Sequence, residues 1–131
     1  MATWDEVRRC ALALPLATER PAWGTPAWRI KERLFVWDRP LRPTDLAELG
    51  PTAPDGPIVG FYVADAGEKA ALIAEDPEVF FTITHLDGHP IVLGRLSQID
   101  VDRLTELVVE SWLVRAPVRL AREYLDAHDV G

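Results

Sequence analysis

The chain has a single cysteine, Cys10, and only two serines, Ser97 and Ser111, among its 131 residues. A lone thiol excludes an internal disulfide and every multi-cysteine metal site, and it fits a reducing compartment. No apolar run approaches the ~20 residues that cross a bilayer. The opening Met-Ala-Thr-Trp-Asp-Glu does not read as a signal peptide, so a cytoplasmic location is expected. The nucleotide and nucleophile signatures G-x-G-x-x-G, the Walker lysine loop and G-x-S-x-G are missing. Positive charge is also in deficit. Fourteen Lys and Arg stand against 21 Asp and Glu, a net −7 that opposes general nucleic-acid binding, because attraction to phosphate is a charge effect. What remains, 48% hydrophobic and 27% charged, describes one globular domain with enough chain to bury roughly two thirds of its unfolded surface.

The local signals place α, then three β, α, two β and two α elements. Thr3 and Glu6 have the spacing of a capping box, and Trp4, Val7, Ala11 and Leu14 form one helical stripe that Pro15 ends. Residues 16–26, with two prolines and a glycine, read as a loop. Residues 27–38 read as a hairpin with Lys31, Glu32 and Arg33 at its tip. Its alternation pairs Trp28 with Ile30 on one face, and Phe35 with Trp37. Residues 39–57 hold five of the eleven prolines and read as a proline-stiffened surface excursion, with a short helical run over Thr44–Gly50. The run 58–64 is a central strand. Asp65 caps a helix reaching about Glu75, strands follow at 79–84 and 90–96 around Asp87-Gly88, and Asp100 caps the longest helix. Pro117 opens the last helix. The fold class expected is α+β, a two-layer sandwich with a mostly antiparallel five-stranded sheet and helices on one face.

No set of residues assembles an acid, a base and an oxyanion site, so no catalytic residues are assigned and the chain reads as a non-enzyme. Cys10 has no base near it in sequence and reads as a small core residue. His85, Asp87 and His89 bracket one turn without a fourth ligand, so they read as turn and surface residues, with no metal or cofactor implied. Charge is unevenly placed. Residues 29–42 carry Arg29, Lys31, Arg33, Arg39 and Arg42 against two acids, a local +3, whereas residues 44–113 sum to −10. Basic groups beside Trp28 and Trp37 have the chemistry to hold phosphates while an aromatic stacks on a base. The alternative is that these tryptophans fill the core. Twelve of the fourteen basic residues are arginine, which genome composition or phosphate binding would each explain.

The runs Gly24-Thr-Pro-Ala-Trp-Arg-Ile, Trp37-Asp-Arg-Pro-Leu-Arg, Ala53-Pro-Asp-Gly-Pro-Ile and Glu75-Asp-Pro-Glu-Val-Phe-Phe-Thr occur in an order that resembles the MmcQ/YjbR-like bacterial proteins. So do Thr84-His-Leu-Asp-Gly-His-Pro-Ile-Val-Leu-Gly-Arg-Leu and Trp112-Leu-Val-Arg-Ala-Pro-Val-Arg-Leu. The resemblance spans about residues 3–125. It implies a single MmcQ/YjbR-like domain over 1–131, with an α+β fold related to secretion-chaperone-like and CyaY-like sandwiches. It also implies a double-wing, DNA-binding description with wings at 27–38 and 79–96. His85, Arg95 and Trp112 match the family and mark an expected pocket. Leu86 and His89 replace aromatics usual there, and Val118 and Pro43 replace lysines. Three partner classes therefore stand: DNA on the first hairpin, a protein or peptide on the sheet face or Pro-rich loop, and a small molecule near His85, Arg95 and Trp112.

Overall fold

The computed structural model describes residues 2–128; Met1 and residues 129–131 of the expected domain lie outside it. The capping box is formed: Thr3 Oγ1 accepts from the Glu6 backbone N–H, and Glu6 Oε1 accepts from the Thr3 N–H at 3.0 Å. It starts α1 (Trp4–Leu12), whose Val7 and Ala11 are buried and whose Trp4 stacks on Trp28. Asp65 caps α3 (Ala66–Glu75) and Asp100 caps α4 (Val101–Arg115), each through its carboxylate, and α5 (Val118–Ala127) follows Pro117.

The sheet has six strands, one more than expected, in the order β1-β2-β3-β4-β6-β5. The addition is β1 (Ala17–Glu19), inside the stretch expected to be a loop. Three residues are too few to show alternation, and tertiary bonds define this strand. Glu19 accepts from Arg8 Nε of α1 at 2.8 Å and from the Trp28 indole N–H at 2.9 Å. Next come β2 (Ala27–Ile30) and β3 (Arg33–Asp38), joined by Lys31 and Glu32 with φ of 48° and 70°. Both turn residues are left-handed, a geometry that normally selects glycine or asparagine. Then β4 (Ile58–Tyr62), β5 (Phe80–Phe81) and β6 (Ile91–Arg95) complete the sheet, every neighbouring pair antiparallel. The strand expected at 79–84 is short because the chain leaves the sheet after Phe81. Thr84 N–H bonds the Glu48 carboxylate at 2.9 Å, while Ile83 and Leu86 are buried.

One irregularity decides which side chains face where. Trp28 pairs with Val36 but Arg29 pairs with Leu34, so Phe35 is the extra residue of a β-bulge. Phe35 and Val36 therefore both enter the core under the helices, and Trp37 falls on the opposite face. The expected pairing of Phe35 with Trp37 is overturned, because a bulge resets the two-residue alternation. Beyond the Val36–Phe61 pair β3 and β4 no longer bond directly, and α4 supplies the missing partners. The buried Ser111 hydroxyl donates to the Phe35 carbonyl at 2.5 Å and accepts from the Tyr62 N–H at 2.9 Å. Arg115 Nε donates to the Leu34 carbonyl at 2.9 Å, with its guanidinium over the Tyr62 ring.

The result is the expected α+β sandwich, with α1, α3, α4 and α5 packed on one face of the sheet. The opposite face is apolar too. Trp37 lies across Gly60, where any Cβ would come within 2.8 Å of the indole. Ile58, Phe81, Leu93, Ile83 and Leu86 surround it, and Leu41 and Leu49 of the Pro-rich excursion pack on top. The excursion, with α2 (Pro43–Leu49) inside it, thus covers the second face.

Two outcomes follow. Ser111→Ala leaves a buried N–H and a buried C=O without their partner, and should lower the urea-unfolding free energy by about 1–3 kcal/mol. Glu19 is held below the ordinary carboxylate range, chiefly by the Arg8 hydrogen bond and then by the Trp28 indole, against an opposing effect of burial. The folded state therefore prefers its charged form, and the stability it adds is complete above about pH 4–5 and lost as pH falls through the depressed value. Glu19→Gln should flatten the acid limb of a stability–pH curve in that window.

Candidate functional site

The five cations of residues 29–42 do not form one patch. Lys31 and Arg33 lie at the tip of the β2–β3 hairpin, whereas Arg39 and Arg42 follow the far end of β3, about 20 Å away at the usual rise per residue. Most are also engaged. Arg29 Nη1 donates to the Arg20 carbonyl at 2.6 Å, and Arg33 Nη1 to the Arg115 carbonyl at 3.4 Å. Arg39 donates to the Pro40 carbonyl and to Asp45, and Arg42 approaches the same carboxylate at 3.8 Å. Asp45, 3% exposed, accepts the Arg42 backbone N–H as well, so the pair staples the excursion to the end of β3. Trp28 and Trp37 are buried in the two cores, and neither presents a face for a base to stack on.

The second wing is pinned to the body. β5 pairs with β6 at Phe80–Gly94 and Phe81–Leu93 only. Lys69 of α3 donates to the carbonyls of Leu86 and His89 at 2.8 and 2.9 Å, which ties down the turn carrying His85, Asp87 and His89. Burial pushes the Lys69 ammonium below its ordinary range, with the charge of Asp87 opposing. Among the described residues no group of three or more His, Cys, Asp or Glu is placed to hold a metal ion.

His85, Arg95 and Trp112 are distributed over different parts of the molecule. Trp112 is fully buried in the core under the helices, its indole N–H on the Pro15 carbonyl at 3.2 Å. Arg95 lies over the ring of Phe81, which belongs to the opposite face, and bonds the carbonyls of Glu78 and Thr52. His85 is exposed on a single 3-10 turn. Arg95 thus clasps two loops and Trp112 fills the core.

A concave surface lies elsewhere, between α3 and α4 over the end of β4, with a volume of about 480 Å³. Phe61, Leu72 and Leu107 give it an apolar floor. Arg103 closes one end, reaching Glu75 across the groove at 3.5 Å and Glu106 on its own helix at 3.1 Å. This explains Glu75, an acid near a helix C-terminus where the dipole gives it no support. At the other end stand Asp65, Glu68 and Glu110, which pair with no cation among the described residues. Asp65 already uses Oδ1 to cap α3 at the Glu68 N–H. The arrangement is an apolar trough with an unneutralised acidic rim. Residue by residue these acids read as helix caps and solvated charges. The signal that points to them is the −10 accumulated over residues 44–113.

Comparison with known proteins agrees with the architecture. The family model described as YjbR matches residues 12–114. Uncharacterized proteins of Mycobacterium tuberculosis and Mycobacterium bovis are each 46% identical over 128 residues, covering 95% of this chain and 97% of theirs. A crystal structure of a Deinococcus radiodurans protein with a domain labelled DUF419 superposes with a TM-score of 0.66 at 20% identity, covering 87% of this chain and 78% of that one. That likeness concerns the fold.

The Asp45 staple has a measurable weight. Asp45→Ala leaves Arg39, whose side chain is 13% exposed, without its counter-charge. Removing one partner of such a pair should cost about 3 kcal/mol in chemical denaturation and should speed proteolysis within residues 39–57 first.

Proposed function

The chain belongs to the YjbR family, and from that premise we propose that it is a non-catalytic protein-interaction module that takes a cationic, apolar segment of another protein into the α3–α4 groove. The observation that supports this reading is the pairing of an apolar floor (Phe61, Leu72, Leu107) with an acidic rim (Asp65, Glu68, Glu110). A segment carrying Lys or Arg beside Leu or Ile matches both features. Burying its apolar side chains supplies affinity, and the rim steers the approach and rejects acidic sequences. Because the rim is solvated, its contribution is screened by salt.

DNA contact at the first hairpin is the second reading, favoured by the exposure of Lys31 and Arg33 at its tip. In that reading Lys31 meets phosphate directly, with Arg29, Arg33, Arg39 and Arg42 reaching the backbone only by releasing their present partners. A duplex would still approach a chain of net −7.

The two are separated by one titration series. A fluorescent peptide alternating Leu and Lys should bind saturably at low salt, and its Glu-substituted counterpart should not. Glu68→Lys combined with Glu110→Lys changes exposed residues only, and should weaken the peptide by roughly tenfold or more. Absence of peptide binding, or binding indifferent to the double substitution, overturns the groove. Saturable binding of mixed-sequence duplex DNA with a salt slope reduced by Lys31→Ala and Arg33→Ala would establish the second reading instead.

A further inference from the structure

The largest exposed apolar side chain of the molecule belongs to neither site. Trp23 is 85% exposed, while every other tryptophan is buried or half-buried. It sits in a tight turn closed by reciprocal backbone bonds between Ala22 and Thr25 at 2.9 and 3.0 Å. Both central residues are left-handed, Trp23 at φ 52° and Gly24 at φ 81°. Glycine takes that conformation at little cost, but a bulky residue rarely occupies it. Thr25 Oγ1 braces the turn by donating to the Ala22 and Asp38 carbonyls at 3.0 and 2.9 Å. The fold therefore holds an indole out in water on a short, braced, strained turn. A rigid, solvent-facing tryptophan is the kind of side chain that anchors interfaces, because little freedom remains to be lost when it docks.

Next to that turn is a cleft of about 300 Å³ at the base of the Pro-rich excursion. Its walls are Pro40, Pro57, Leu41, Leu46 and Ile58, and Asp38 and Asp55 contribute carboxylates. That volume is at the small end of ligand sites, which matches one side chain better than an extended segment. The proline and leucine walls suit a flat aromatic ring. No side chain among the described residues donates to the Asp38 carboxylate, which leaves an acceptor for an N–H at the edge of such a ring. Burial shifts that carboxyl above its ordinary range, in keeping with an acceptor short of donors. Proline and leucine walls with carboxylate acceptors at the edge suit an indole, which has an apolar body and one donor.

Thr25 bonds the backbone carbonyl of Asp38, a residue that lines the cleft, so turn and cleft lie at the same end of the molecule. We propose that the occupant is Trp23 of a second copy of this chain, exchanged reciprocally across a two-fold axis. Adjacent knob and cleft on one surface allow both clefts to fill in the same closed pair, as an isologous dimer requires. Two docked indoles and their surrounds bury less than the ~1,000 Å² typical of stable interfaces, so the dimer is reversible and forms at high protein concentration. The site is independent of the α3–α4 groove, and either reading stands if the other fails.

Sedimentation equilibrium from dilute to millimolar protein tests this, with Trp23→Asn and Leu46→Arg beside the unmodified chain. Asparagine accepts the left-handed turn, so Trp23→Asn should keep or raise the melting temperature and show that any lost association is not unfolding. The unmodified chain should shift from monomer towards dimer mass, and each variant should weaken the association by roughly thirtyfold or more, as for a central tryptophan anchor. In Trp23→Asn, titrated N-acetyl-tryptophanamide should move the backbone NMR signals of Leu41, Leu46 and Ile58. A chain monomeric at every concentration overturns the proposal, even if the free indole binds the cleft. Dimers that survive Trp23→Asn unchanged overturn it equally.

Discussion

The structure depends on one joint, where the Ser111 hydroxyl of α4 stands between the Phe35 carbonyl and the Tyr62 N–H. These are the groups that a regular ladder would bond directly, and the bulge at Phe35 separates them. A buried backbone pair left open would be expensive, and a hydroxyl, which donates and accepts at once, is the smallest side chain that closes it. Because the joint holds, β3 can carry Phe35 and Val36 into the core under the helices and still present Trp37 to the other face. Both faces of the sheet are consequently apolar. The second must be covered, and the Pro-rich excursion covers it with Leu41 and Leu49. A segment that looks like a surface detour is therefore a structural layer, fixed to β3 by Asp45 and to Thr84 by Glu48.

Backbone groups left without ladder partners, at this joint and in the loops, account for several of the arginines. Arg115 bonds the Leu34 carbonyl beside the joint, and Arg33 returns the contact to the Arg115 carbonyl. Arg29 bonds the Arg20 carbonyl, and Arg95 spans the carbonyls of Glu78 and Thr52. A planar fork of five donors can join two loops that no ladder connects, in a fixed geometry that a point-charge ammonium does not impose. Irregular segments are where backbone carbonyls lack partners, and this chain has many such segments. Neither phosphate binding nor genome composition is needed for these arginines.

What the sequence makes legible is what its neighbours in sequence determine. The capping residues Thr3, Asp65 and Asp100 and the hydrophobic run of β4 depend on interactions within a few residues, and they appear where local patterns place them. What stays hidden depends on distant partners. β1 exists because Arg8 and Trp28 converge on Glu19, and three residues cannot advertise that. The bulge adds one residue to a run that already alternates acceptably, so Phe35 and Trp37 look alike until β2 fixes the register. His85, Arg95 and Trp112 share motif positions but serve loops, core and surface separately, and motif order alone carries no such information.

The charge balance follows from this division of labour. Several cations are engaged with backbone carbonyls and with the buried Asp45, while the net charge remains −7. Acids on α3 and α4 have no such inward duty, since helix backbones bond within themselves. They gather where the two helices stand apart over the end of β4, and there Arg103 neutralises one end only. Charge of one sign around an apolar trough is costly to the folded state through self-repulsion. In the proposed function, a cation from a partner would relieve that repulsion on binding, whereas arginines already bonded to carbonyls would have to release them to meet phosphate.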